Sequence, residues 1–337
     1  MNEKIYRVAH IGCGTVAPNH LAALAENPRT QIAALCDLDA DRAKNMAEKY
    51  AKDAMIYTDY RKMLDEVKPD SVHISTPHFL HCEMACYALS KGIHVFLEKP
   101  MVRTKEEIRI LLDAEKSSSA KLNICFQNRF NPSTEYAMQI AEEDGGVTAA
   151  YGTVIWDRDE DYYRNSPWRG RYATEGGGVM INQAIHTIDL LCFFLGKPKS
   201  VCATTANHRL KGVIEVEDTC EGVITFDNGK RANFYCTNSH IGKSHTEVML
   251  ETAHHTIEIR SPYVTVDGQV ITACEKKSGY VGKECYGNGH KYLIAKFYDA
   301  LAEGKDAPVT AESSRYAIDI LTAAYNSHDS ETEIVYN

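Results

Sequence analysis

The first third of the chain alternates short apolar, β-branched runs with stretches whose apolar positions recur every three or four residues. Runs at 6–11, 31–36, 71–75, 94–97 and 122–126 read as strands. Between them lie segments such as 39–50, where Ala43, Met46, Ala47 and Tyr50 form one stripe of an amphipathic helix. Strands separated by helix-length segments are joined by crossovers, which predicts a doubly wound parallel sheet with helices on its faces. From about residue 149 the rhythm changes. Stretches at 150–156, 199–206, 220–226, 231–237, 246–251 and 255–260 are linked by hairpin signals such as Asp227-Asn228-Gly229 and Asp267-Gly268, which predicts a mostly antiparallel sheet. Helices are expected at 178–195, 291–303 and 312–327. The change of pattern puts a domain break near 123: an α/β domain over 1–123 and a second over 124–337, with the closing helices packing back on the first.

The length of 337 residues agrees with two domains of ordinary size. Hydrophobic residues make up 44% and charged residues 25%, a globular composition able to bury a large core. Thirty-seven basic against 46 acidic residues leave a net charge of −9, so no global field recruits nucleic acid or an anionic membrane. The eleven cysteines are scattered through apolar runs such as Ala34-Leu35-Cys36 and Leu190-Leu191-Cys192-Phe193, with no Cys-x-x-Cys pair. They read as core thiols. The start Met1-Asn2-Glu3-Lys4-Ile5 lacks the pattern of a secretory signal, and no apolar run approaches the roughly 18 residues of a membrane span. A soluble, cytoplasmic protein is expected.

Gly12-Cys13-Gly14-Thr15-Val16-Ala17 matches G-x-G-x-x-A between a strand and a helix. Gly12 permits the tight turn, Gly14 lets backbone approach a pyrophosphate, and Ala17 allows close helix–strand packing, with the phosphate on the helix N-terminus. Pro18 in the first turn is compatible, since its missing N–H would be unpaired there anyway. Asp37 ends the second strand at the distance where a carboxylate accepts bonds from ribose hydroxyls and repels a 2′-phosphate. Leu38 follows, with no adjacent Arg. This predicts NAD as cofactor in preference to NADP.

Glu98-Lys99-Pro100 follows the strand at 94–97 and so stands at the carboxyl edge of the sheet. Lys99 is a candidate acid–base or electrostatic group if desolvated there, and Pro100 is a candidate cis peptide. In Gly176-Gly177-Gly178-Val179-Met180-Ile181-Asn182-Gln183-Ala184-Ile185-His186-Thr187-Ile188-Asp189, a helix starting near Gly178 puts Asn182, His186 and Asp189 on one stripe. Three polar groups on an otherwise apolar helix form either a satisfied buried network or the lining of a cleft.

Together with Ser75-Thr76-Pro77-His78-Phe79-Leu80-His81, Arg129-Phe130-Asn131-Pro132, Trp168-Arg169 and Gly287-Asn288-Gly289-His290, these motifs resemble the Gfo/Idh/MocA oxidoreductases over essentially the whole chain. The resemblance implies a Rossmann domain and a C-terminal α/β domain with a large open sheet used for oligomer contacts, here a homodimer or homotetramer. It also implies NAD(P)-dependent oxidation or reduction of a secondary alcohol on a sugar, cyclitol or derivative. Lys99 and His186 would then carry the proton chemistry, with Asn182 standing where the family often has Asp. Gly12, Gly14, Thr15, Val16, Asp37, Thr76, Pro77, His81, Glu98 and Lys99 are expected at the cofactor. Arg129, Asp157, Trp168, Arg169, Asn182 and His186 are expected at the substrate, with Asn238 and His290 as weaker candidates and Asp189 as a possible orienter of His186. No metal is expected: His78, His81 and Cys82 have usable spacing, but a nucleotide-side loop explains them better. Two other functions fit the same motifs, an NAD-using glycoside-cleaving enzyme acting by transient oxidation and elimination, and a dinucleotide-binding sensor without catalysis.

Overall fold

The computed structural model describes residues 4–242, 245–272, 287–327 and 330–336. Six strands form the first sheet: β1 (Tyr6–Ile11), β2 (Thr30–Cys36), β3 (Met55–Tyr57), β4 (Ser71–Ile74), β5 (His94–Glu98) and β6 (Leu122–Cys125). Their order is β3-β2-β1-β4-β5-β6 and every pairing is parallel. Helices α1 (Ala17–Glu26), α2 (Ala40–Tyr50), α3 (Tyr60–Val67), α4 (His81–Ser90) and α5 (Lys105–Lys116) cross between them. Asp39, Asp59 and Thr104 cap α2, α3 and α5 through backbone N–H groups, which is why those helices start where they do. The break expected at 123 falls inside β6, whose pairing with β5 carries the first sheet to Cys125.

After α6 (Pro132–Glu143) the chain builds a nine-stranded sheet from β7 (Ala149–Ile155), β8 (Pro198–Ala206), β9 (Thr219–Phe226), β10 (Arg231–Thr237), β11 (His245–Glu251), β12 (Thr256–Arg260), β13 (Tyr263–Val266), β14 (Gln269–Val270) and β15 (Thr332–Glu333). All its pairings are antiparallel except β7 with β10. Short α7 (Glu160–Arg164) precedes the glycine run, and α8 (Ile185–Leu195) covers one face of the sheet. A Cβ on Gly152 of β7 would lie 2.5 Å from Thr187 of α8, so strand and helix meet there without a side chain between them. Helix α9 (Gly289–Glu303) returns to pack on α1, and α10 (Ala311–Ser327) packs on β8, α5 and α8. One buried hydrophobic cluster therefore runs through both sheets.

The nine described cysteines are free and buried or half-buried; Cys274 and Cys285 lie outside the described residues. Among the described residues no helix is long and apolar enough to cross a membrane.

Candidate active site

Strand order reverses between β1 and β4, and parallel sheets bind ligands in the crevice such a reversal opens. Gly12 turns there with φ +92°, and a Cβ on it would sit 2.7 Å from the Ser75 carbonyl oxygen. Only glycine fits. At Gly14 an added Cβ meets nothing within 4 Å, so that face of the turn is open. Ala17 is fully buried against the sheet, Thr15 is exposed and Val16 half-buried. No side chain caps α1 and no acid sits in its first turn, which leaves N–H groups at the turn for an anion. Asp37 accepts from the N–H groups of Cys13 at 2.7 Å and Asp39 at 2.9 Å, which fixes its carboxylate beside the turn with acceptor capacity remaining. Leu38 next to it is 90% exposed, and the next cation along the chain, Arg42, pairs with Asp39 at 3.4 Å. Open space at Gly14, an uncapped helix end and a carboxylate at the adjoining strand are what a dinucleotide requires of its turn.

Along the edge, two of the residues expected at the cofactor, His81 and Glu98, are engaged inside the protein instead. His81 has Nδ1 at 2.7 Å from the Pro100 carbonyl and Nε2 at 2.8 Å from the Thr76 carbonyl. The ring thus ties two loops together and has no nitrogen left for a coenzyme. Thr76 donates its hydroxyl to Met84 Sδ at 3.6 Å, a weak bond that a ligand can replace. Glu98 is buried and accepts from His20 at 2.8 Å and from the Lys99 N–H at 3.2 Å; its carboxylate belongs to the interior. Burial raises its pKa, but His20 and His290 outweigh this and hold it well below the usual carboxylate range. Pro77 opens the short turn His78–Leu80 and is half-buried. The Lys99–Pro100 bond is cis.

The glycine run is dictated by close packing within the protein. A Cβ on Gly177 would meet the Tyr325 hydroxyl at 2.1 Å, and one on Gly178 would meet the Glu217 carbonyl oxygen at 1.8 Å. The protein's own atoms fill that space. Glu217 accepts from the N–H groups of Gly178 and Met180, each at 3.0 Å, and burial pushes its carboxyl up to about 7. The expected continuous helix is replaced by a π-helical turn over Met180–Ala184 followed by α8. Such turns widen the backbone and recur at functional sites.

In this turn the Asn182 carbonyl accepts from Lys99 Nζ at 3.1 Å. Lys99 and Asn182 therefore meet through backbone, while the Asn182 amide donates to Glu175. Burial lowers the pKa of the half-buried Lys99. His186, 8% exposed, has its Nδ1 buried without a hydrogen-bond partner. Burial and then the Lys99 charge hold its pKa well below the ordinary value, so the imidazole is neutral.

Arg129 is corrected from substrate contact to structural ion pair. Its Nε and Nη2 donate to Asp189 at 2.8 and 2.5 Å, with both side chains buried. The same pair removes Asp189 as an orienter of His186. Asp157 pairs with Arg209 at 2.8 Å. Trp168 packs against His78 with ring centroids 4.7 Å apart, and Arg169 stacks over Trp168 and Tyr162 at 4.8 and 4.6 Å. These rings are half-buried or buried and adjoin the segment bearing Glu175, whose carbonyl accepts from His78 Nδ1 at 2.8 Å. Asn238 is fully buried and donates to Gln183 and Tyr163 at 3.0 and 2.9 Å. His290 lies with Glu98 at 3.3 Å.

Glu175 was not anticipated. It is 1% exposed, accepts from the Gly170 N–H at 2.5 Å as well as from Asn182, and is pushed up to about 7 by burial. Its position immediately before three glycines is the only trace of it in the sequence. Glu217, 39 residues from the N–H it caps, leaves none.

Residues 6–126 match the family described as "Oxidoreductase family, NAD-binding Rossmann fold", and residues 140–259 match the GFO/IDH/MocA C-terminal domain. The chain is 30% identical to the D-glucoside 3-dehydrogenase of Escherichia coli (strain K12) over 68% of this chain and 69% of that one. It is 28% identical to D-xylose 1-dehydrogenase (NADP(+)) 2 of Haloferax volcanii over 68% and 66% of the two chains. A solved structure of levoglucosan dehydrogenase in complex with NADH and levoglucosan superposes with a TM-score of 0.88 at 22% identity, covering 99% of this chain and 100% of that one.

Proposed function

The chain belongs to the GFO/IDH/MocA oxidoreductase family, and from that membership we propose that it is an NAD-preferring dehydrogenase acting on a secondary alcohol of a sugar, cyclitol or sugar derivative. Relatives named for glucosides, xylose and levoglucosan support the substrate class. Asp37 beside exposed Leu38 supports NAD, because a carboxylate there repels a 2′-phosphate and the next cation along the chain, Arg42, is paired with Asp39.

The nicotinamide, when bound, would supply the hydride acceptor or donor; Gly12, Gly14, Thr15 and Val16 would hold the pyrophosphate of the dinucleotide and Asp37 its adenosine ribose. Thr76 and Pro77 border the same crevice. Neutral His186 takes the substrate hydroxyl proton as general base. Lys99, anchored by one N–H on the Asn182 carbonyl, keeps its other ammonium protons for the substrate oxygen and stabilises the negative charge that develops there. Glu175 orients Asn182, and Trp168 with Arg169 offers a flat wall on which a sugar ring can stack. The observation that carries this reading is a buried imidazole nitrogen without a protein partner, one helical turn from the carbonyl that anchors Lys99. The open face of the nine-stranded sheet, lined by Tyr151, Tyr235 and Tyr263 at 37%, 38% and 43% exposure, is the surface on which a second copy would pair.

The test is replacement of either group. Lys99→Ala and His186→Ala should each lower turnover by about 10²–10⁴-fold while NADH still binds; near-normal turnover in both contradicts the assignment.

A further inference from the structure

Four metal-ligating side chains from four elements converge where α1, β5, β6 and α9 meet. His20, Glu98, Cys125 and His290 are all buried, at 0%, 5%, 0% and 7% exposure. Their ligand atoms lie within 4.8 Å of one another. His20 Nε2 stands 2.8 Å and His290 Nε2 3.3 Å from the same oxygen, Oε1 of Glu98. The Cys125 sulfur has only a long contact of 3.8 Å to Gln127 besides its neighbour Glu98.

We infer that these four side chains form a structural site for one divalent transition-metal ion of the zinc class. Two imidazoles, a thiolate and a carboxylate are a donor set that zinc favours, and tetrahedral zinc places its ligand atoms roughly 3.3–3.6 Å apart. Shifts of a few tenths of an ångström to about 1 Å bring the present atoms to that spacing. Charge also balances: the dication, a thiolate and a carboxylate sum to zero, as a dry interior requires. Binding releases the Cys125 thiol proton to solvent.

A supporting shell already stands behind the first. His20 Nδ1 lies 3.0 Å from His73 Nδ1, His73 Nε2 lies 3.0 Å from the Tyr298 hydroxyl, and that hydroxyl lies 2.7 Å from Ser71 Oγ. With metal on Nε2, His20 must donate from Nδ1, so His73 accepts there and donates from Nε2 to Tyr298. Without metal, a singly protonated His20 donates from Nε2 to Glu98 and accepts at Nδ1, so a neutral His73 donates from its own Nδ1 instead. The ion thus reverses the tautomers of both histidines, a consequence specific to coordination. The site ties the returning helix α9 to the first sheet, and Glu98 in turn holds the Lys99 N–H. It takes no part in the reaction proposed above and stands or falls separately from it.

The experiment uses the full chain, purified without a histidine tag or chelator and assayed for zinc by plasma mass spectrometry. About one zinc per chain is expected. Replacement by Co²⁺ should give a thiolate-to-cobalt charge-transfer band that Cys125→Ser abolishes, and ¹⁵N spectra should show the His20 and His73 tautomers exchanging between metal-free and metal-loaded protein. A wild-type chain that holds no zinc and takes up no cobalt overturns the inference, as does a cobalt spectrum unchanged by Cys125→Ser.

Discussion

At the scale of single residues, glycines in one chain serve opposite purposes, and the difference is measurable. Gly14→Ala places its methyl in open space, so stability should hold within about 0.5 kcal/mol while NADH affinity falls, because the added methyl occupies room meant for the dinucleotide. Gly178→Ala drives its methyl into the Glu217 carbonyl and should cost about 3 kcal/mol or more. Urea unfolding and NADH titration of the two variants separate the effects. Like Glu217, whose carboxyl is also raised to about 7, Glu175 has a pH signature. Its carboxyl is raised from 4.5 to about 7 in the fold, so between those values the native chain keeps a proton that the unfolded chain has lost. Stability must therefore fall as pH rises through that window. Melting curves from pH 5 to 8 should show this decline, and Glu175→Gln should remove about 1–3 kcal/mol of it; an unchanged slope contradicts the assignment.

At the scale of elements, the Arg129–Asp189 pair pins the 127–130 turn to α8. Arg129→Met should cost about 3–5 kcal/mol by leaving Asp189 buried and uncompensated, and Asp189→Leu in the same chain should restore most of that. Recovery of stability together with loss of substrate affinity would return Arg129 to the substrate. The pair also marks a limit of sequence reading. Strand and helix periods disclosed the parallel sheet, the switch to hairpins and the glycine turn, because each is written in neighbouring residues. Arg129 and Asp189 are 60 residues apart, and nothing local tells a cleft-facing arginine from a buried one. The π turn was hidden for the same reason: its glycines answer to Glu217 and Tyr325, which no spacing connects to them. The family resemblance put His81 at the cofactor, yet two carbonyls claim its ring.

At the scale of the whole molecule, the parallel sheet with the dinucleotide turn and the helical segment packed on the larger sheet meet where Lys99 reaches the Asn182 carbonyl. The open face of the larger sheet predicts a dimer or tetramer by light scattering, and charged substitutions at Tyr151 and Tyr235 should dissociate it. The central claim, NAD-linked oxidation of a carbohydrate-like alcohol, is tested most directly by following reduced-nicotinamide absorbance while a panel of sugars and inositols is added with NAD or NADP. The account predicts steady NADH formation with at least one member, preference for NAD, and loss of the signal in Lys99→Ala and His186→Ala. Product without accumulating NADH, binding without turnover, or a strong preference for NADP would contradict it.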